Sequence, residues 1–169
     1  MDTLEAIRTL LAVRQYRETP VPADVVRAIV EAGRLSGSAM NAQPWHFIVV
    51  QDRRTLERLG AVATSGPYVA QAACAIVVAV ARTKFAVSDA SRAIQSMMLA
   101  GWAHGVGSNW VGFVGGLDGV KPILGIPDSL DVVAIVPFGY PARPRSKGRK
   151  ARKPLAQVAH RERYGQPLG

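Results

Sequence analysis

Three polar residues, Ser38, Asn41 and Gln43, stand in a stretch that runs from small residues through a Gln43-Pro44 turn into an apolar run, Leu35–Val50, LSGSAMNAQPWHFIVV. Gly37, Ser38 and Ala39 let the backbone approach another group closely, and the polar side chains can hydrogen-bond to it. The same residues also suit an ordinary helix-to-strand connection in which Asn41 and Gln43 bond their own turn. The loop alone leaves both readings open. Other chemistries find less support. The histidines, His46, His104 and His160, are isolated from one another, and no H-x-x-x-H or C-x-x-C spacing occurs, so neither a metal set nor a catalytic triad is indicated. Gly105-Val106-Gly107 follows a helical segment and precedes a strand, the reverse of the dinucleotide-binding order. What remains is a set of cations and small-residue loops spread along the chain. A phosphorylated, planar cofactor needs such a set: Arg or Lys forks for the phosphate, and backbone and apolar contacts for the ring.

The elements that must position these residues can be read from periodicity. Thr3–Val13 reads as one helix, with Thr3 as cap, Glu5 in the first turn, and Leu4, Ile7, Leu10 and Leu11 on one face. Pro20 and Pro22 separate it from a helix over Asp24–Arg34. Strands are expected at His46–Gln51, Ala75–Ala81, Ser108–Phe113 and Leu130–Phe138; the run AIVVAVA at 75–81 suits a strand buried on both faces. Asp52–Val62 is amphipathic, Tyr68–Ala73 a possible helical turn, and Asp118–Leu124 a short helix. Ser88–Ala103 is apolar on nearly all sides and so must be central or at an interface. Beyond Gly139 only Pro154–Tyr164 shows periodicity. Helices and strands alternate without strict βαβ order, which favours α+β.

The chain has 169 residues, 49% hydrophobic, enough for one domain with a real core. A core of 1–141 and a basic extension of 142–169 belonging to the same domain are expected. No apolar run reaches the ~18 residues of a membrane span, and MDTLEAIRTLL lacks the features of a signal peptide. With a single cysteine, Cys74, this suggests a cytoplasmic protein whose thiol is buried and inert. The net charge of +9 calls for an anionic partner. Much of the excess lies in Arg143–Arg163, where a solvated charge run, a nucleic-acid arm and a cofactor clamp are the alternatives. No basic reading helix or aromatic stacking strand is present, which places nucleic acid last.

S-x-x-N-x-Q-P-W-x-F-x-V-V at Ser38–Val50 resembles the signature loop of the flavin-dependent nitroreductase family, and three further segments match in order. Arg14-Gln15-Tyr16, followed by Pro20-Val21-Pro22, resembles the end of the family's N-terminal arginine-rich motif. Leu10, Leu11 and Ala12 stand where two basic residues and a serine are usual; Arg8 or Arg17 could substitute, although a helix through this segment places them on other faces. Gly105–Phe113 resembles the family's G-L-G-s-x-W-I-G-x-F, and Lys150 and Arg152 precede Pro154-Leu155 as the family's phosphate-binding cations do.

The resemblance implies an α+β fold with a mixed central sheet flanked by helices. It also implies an interface helix at Ser88–Ala103, a C-terminal tail extending onto the partner subunit, and a homodimer with FMN at the interface. The implied cofactor-binding residues are Arg14, Ala12, Tyr16, Ser38, Asn41, Gln43, Gly112, Phe113, Lys150 and Arg152. The loop Ser38–Gln43 would contact the flavin across the interface, and the backbone amides of Gly112 and Phe113 would face its N5 edge. The implied activity passes hydride from NADH or NADPH through the flavin to a nitroaromatic, quinone or similar electrophile. No catalytic side chain is then expected, because the flavin carries the chemistry. The alternative is a flavin- or other-ligand-binding protein on the same fold without NAD(P)H-driven turnover. The chain is short between the strand at Ala75–Ala81 and the helix that follows, so the pocket is expected to be open or covered by the partner's tail.

Overall fold

The computed structural model describes residues 1–112, 116–143 and 150–168. Four strands form one sheet in the order β1 (Trp45–Val50), β2 (Cys74–Ala81), β4 (Leu130–Gly139), β3 (Gly107–Ser108). Every ladder is antiparallel. The parallel component of the expected mixed sheet is confined, among the described residues, to one bridge between Ala12 and Ser108.

Alternation along β2 divides the core. Cys74, Ile76, Val78 and Val80 face one layer with α2 (Ala23–Arg34) and α4 (Ala86–Ala103). Ala75, Val77 and Ala79 face the other with α3 (Arg53–Val62), α5 (Val120–Leu124) and the 3-10 turn Pro67–Gln71. Residues 74–80 are all buried, as their β-branched, uncharged run requires. Each large apolar side chain so buried contributes about 1.5–3 kcal/mol.

Two elements are shorter than their sequence suggests. α1 spans Thr3–Thr9 rather than Thr3–Val13, because Leu10 turns extended (φ −53, ψ 121). The next residues then join the sheet edge, with the Val13 amide donating to Ser108 O at 2.8 Å. The expected strand Ser108–Phe113 pairs only through Ser108 and resumes at Val111, which exchanges two hydrogen bonds with Ile135. The shared register places Asn109 opposite Pro137, which has no N–H to donate, so the ladder breaks there. The last residue of that expected strand, Phe113, lies outside the described residues, as does most of the charge run at 143–149. α4 begins at Ala86, before the expected Ser88, and α5 at Val120, after the expected Asp118. The tail from Lys150 contains one short 3-10 turn, Leu155–Gln157, in place of the periodic Pro154–Tyr164 segment.

Candidate functional site

Helix α4 is the spine along which the candidate segments are arranged. At its start, Ala86 and Val87 line an open cleft of ≈ 650 Å³ with Trp110, Gly112 and Lys84. Gly112 has φ +145, and a Cβ there would sit 2.7 Å from Val133 O. Only glycine therefore brings the backbone through this point.

One turn further on, Asp89 lies wholly buried among Ala86, Ala90 and Ala93. Its Oδ1 accepts hydrogen bonds from the Ala39 amide (3.1 Å) and from Arg92 Nη2 (2.8 Å). Arg92 Nη1 also donates to Gly37 O (3.4 Å). Asp89 Oδ2 has no partner among the described residues. This cluster fixes the start of the polar loop. Beyond it Met40, Asn41 and Gln43 all adopt left-handed backbone, at φ 52, 54 and 46. Such conformations cost non-glycine residues about 1 kcal/mol or more each and persist only where the surroundings impose them. The Gln43 amide donates to Ser38 Oγ (2.9 Å), and Gln43 Nε2 donates to Asn41 O (3.2 Å). Asn41 and Gln43 are exposed, Ser38 half-buried.

Six residues after Asp89, about 9 Å along the helix, Gln95 lines an open cleft of ≈ 700 Å³ with Ile7, Arg8, Lys150 and Arg152. Lys150 Nζ donates to Ile7 O at 2.6 Å, tying the tail to the end of α1. Burial, aided by the Arg152 charge, holds the Lys150 ammonium below the ordinary lysine range.

Ala12, Arg14 and Tyr16 lie on the extended segment beside β3 and the end of β4. Ala12 and Arg14 are exposed. The Tyr16 hydroxyl donates to Val13 O (2.7 Å), and burial raises its pKa well above the ordinary tyrosine range, with Arg14 opposing the shift. The Arg17 and Ala142 amides clamp the segment to Tyr140 O and Gln15 O. Gly107 admits the close approach, since a Cβ there would overlap the Val13 side chain.

The structure thus brings Lys150 and Arg152 together near the chain leading to Ala12 and Arg14. Within one chain the loop Ser38–Gln43 is anchored at a different turn of α4. Phe113 lies outside the described residues. Asp89 was not singled out from the sequence, although its spacing with Ala86, Ala93 and Met97 places a carboxylate on the buried stripe of an apolar helix. The contact from Asn109 Nδ2 to Tyr68 OH, which joins the 3-10 turn to the chain after β3, carried no sequence signal. Among the described residues no cluster of His, Cys, Asp and Glu could hold a metal, and no helix is long and apolar enough to cross a membrane.

An antiparallel α+β sheet with two helical layers, a glycine-lined cleft and a cationic cleft defines the class of protein. The profile of the Nitroreductase family matches residues 8–83 and 62–140. A protein of Methanothermobacter thermautotrophicus named for NADH dehydrogenase/NAD(P)H nitroreductase activity is 35% identical over 150 residues, 84% of this chain and 78% of that protein. An NADH dehydrogenase of Thermus thermophilus is 29% identical over 182 residues, 84% of this chain and 88% of that protein. Among solved structures, a similarly named protein of Bacteroides thetaiotaomicron superposes with TM-score 0.86 at 28% identity, covering 96% of this chain and 98% of that one. An FMN-dependent nitroreductase of Clostridium difficile shares the fold at TM-score 0.85 and 23% identity, over 95% of this chain and 99% of that one. The chain belongs to the nitroreductase family, a family of oxidoreductases.

Proposed function

We propose that this chain is an FMN-dependent oxidoreductase that takes hydride from NADH or NADPH and delivers reducing power to a nitroaromatic, quinone or similar electrophile. The observation that carries the reading is the polar loop Ser38–Gln43, which adopts costly left-handed backbone at Met40, Asn41 and Gln43 and is anchored at Ala39 by the buried Asp89. Backbone strain of this kind collects at binding and catalytic sites.

The donor set fits a phosphorylated planar group. Lys150 and Arg152 share a cleft in which no carboxylate lines the wall among the described residues, suited to a phosphate monoester. Gly112 supplies backbone where a side chain cannot stand, suited to the edge of a flat ring. Arg14 would lie at the pyrimidine end of the ring and favour negative charge there. Tyr16 has its hydroxyl committed to Val13 O, so its part is to hold the Ala12–Arg14 backbone in place. FMN, when bound, supplies a ring position that accepts and returns hydride.

The site is completed by a second copy of the chain, whose loop Ser38–Gln43 would face the cofactor. Leu35, Met40 and Val87 are 67%, 89% and 62% exposed in the single chain, around the anchored loop and the start of α4. Leu155 and Val158 in the tail are 66% and 59% exposed. Such uncovered apolar side chains support a homodimer over which the 142–169 extension is laid. A cytoplasmic setting is part of the same proposal; Cys74, buried and the single cysteine of the sequence, has no partner for an intramolecular disulfide.

The test is the visible absorption spectrum of freshly purified protein, with the released chromophore identified by mass. FMN that bleaches on adding NADH or NADPH supports the enzyme. A protein that takes up FMN but is not reduced by either would instead be a flavin-binding protein, a reading that Leu10, Leu11 and Ala12 favour. A colourless protein that fails to take up FMN overturns both.

A further inference from the structure

We infer that Arg8 is the third cation of the phosphate site, standing in for the basic residues absent at Leu10 and Leu11. The inference rests on the FMN reading, and it concerns a residue on the last turn of α1, which stops at Thr9. There it lines the same ≈ 700 Å³ cleft as Lys150, Arg152 and Gln95.

Among the described residues, three cations and an amide line the cleft together with Ile7, and no carboxylate does. Arg8 makes no ion pair among the described residues. Among the described residues, Arg152 Nη1 bonds its neighbour's carbonyl, Ala151 O at 2.8 Å, and Lys150 spends one of its three donors on Ile7 O. The Arg152 charge also disfavours the Lys150 charge. Like charges held together without a counter-charge repel, and an anion with several acceptor oxygens relieves that repulsion while taking up the free N–H groups. Arg8 supplies a guanidinium fork of the kind that grips a phosphate at two oxygens. Leu10 and Leu11, both half-buried, have nothing to offer it.

A rival role for Arg8 is purely structural, since a cation in the last turn of a helix complements its dipole. The two roles separate when phosphorylated and unphosphorylated flavins are compared. Flavin-free protein, wild type, Arg8→Gln and Arg8→Lys, is titrated with FMN and with riboflavin by flavin fluorescence. We expect Arg8→Gln to weaken FMN binding about 10-fold or more, to leave riboflavin binding unchanged, and Arg8→Lys to recover part of the loss. Unchanged FMN affinity in Arg8→Gln overturns the inference, as does an equal loss for both flavins. If the wild type binds neither flavin, the FMN reading fails separately. Pyrophosphate titration by calorimetry then decides the inference: binding that Arg8→Gln abolishes supports it, and binding that is absent or unchanged overturns it.

Discussion

The carboxylate of Asp89, with no exposed surface, accepts the backbone amide of Ala39 at 3.1 Å, across fifty residues of sequence. Through this bond the core of α4 sets where the polar loop begins, and Arg92 reinforces it by bridging Asp89 Oδ1 and Gly37 O. Removing the carboxylate leaves a partly buried amide unpaired and takes away the ion-pair partner of Arg92. Asp89→Ala should therefore lose about 1–3 kcal/mol of stability, read from chemical denaturation. The released loop no longer holds left-handed backbone at Met40, Asn41 and Gln43, so FMN affinity should fall as well. A variant as stable as the wild type, with unchanged FMN affinity, would show that Asp89 does not hold the loop.

Gly112→Ala meets two obstacles at once. Its φ of +145 is closed to L residues, and its Cβ would press on Val133 O at 2.7 Å, a backbone atom that cannot swing aside. The chain must shift locally, at a cost of about 1–3 kcal/mol. The shift moves the wall of the cleft shared with Trp110 and Ala86, so flavin affinity should fall together with the melting temperature. Gly116→Ala, at an exposed position, should change both far less.

The parts legible in sequence were those where one periodicity governs. AIVVAVA at 75–81 reads as a strand buried on both faces, and the apolar Ser88–Ala103 segment as a helix that is central or at an interface. The losses came where tertiary pairing competes with local pattern. Leu10 and Leu11 continue the apolar stripe of Leu4 and Ile7, yet the sheet edge at Ser108 draws Ala12 and Val13 into an extended strand and ends the helix early. Ser108–Phe113 looks like one strand, but the break depends on Pro137 lying opposite Asn109, a fact about register that neither segment carries alone. The loop residues Ser38, Asn41 and Gln43 were visible as polar groups in a turn. Their strain and the buried acid that supports it were not.

Cys74 should be inert in the native protein. It is wholly buried in β2, and burial pushes its thiol up to about 12. At pH 8 only about one thiol in ten thousand is then thiolate, the reactive form. Native protein should give no absorbance change with a disulfide-exchange reagent over an hour, and one equivalent of thiol after unfolding. Rapid reaction of the native protein would mean that β2 is open to solvent.

Arg14 is exposed beside a segment pinned to β3 and β4, so its charge can be removed without disturbing the core. Arg14→Gln should keep the wild-type melting temperature while weakening FMN binding and slowing reduction by NAD(P)H about 10-fold or more, because in the proposed site the fixed charge would stabilise the electron-rich reduced ring. Stopped-flow bleaching of the flavin band measures the second effect. If affinity and reduction rate both stay at wild-type values, Arg14 does not face the ring.

Lys150 gives the anion site a pH dependence of defined sign. Its pKa in the folded, ligand-free protein is lowered, first by burial and then by Arg152. A phosphate monoester is fully dianionic above pH ~7, so the ligand's own charge no longer changes in the alkaline range. Binding needs the protonated ammonium. As pH rises through the lowered lysine pKa, each binding event must take up a proton, and FMN affinity should fall toward a limiting slope of about tenfold per pH unit. The fall should begin below the range where an ordinary lysine titrates. Riboflavin, which lacks the phosphate, should show no such slope. Lys150→Gln should bind FMN more weakly at neutral pH and lose the alkaline slope, since no group remains to take up the proton. A slope that persists in Lys150→Gln would assign the titration to another group and remove Lys150 from the phosphate site.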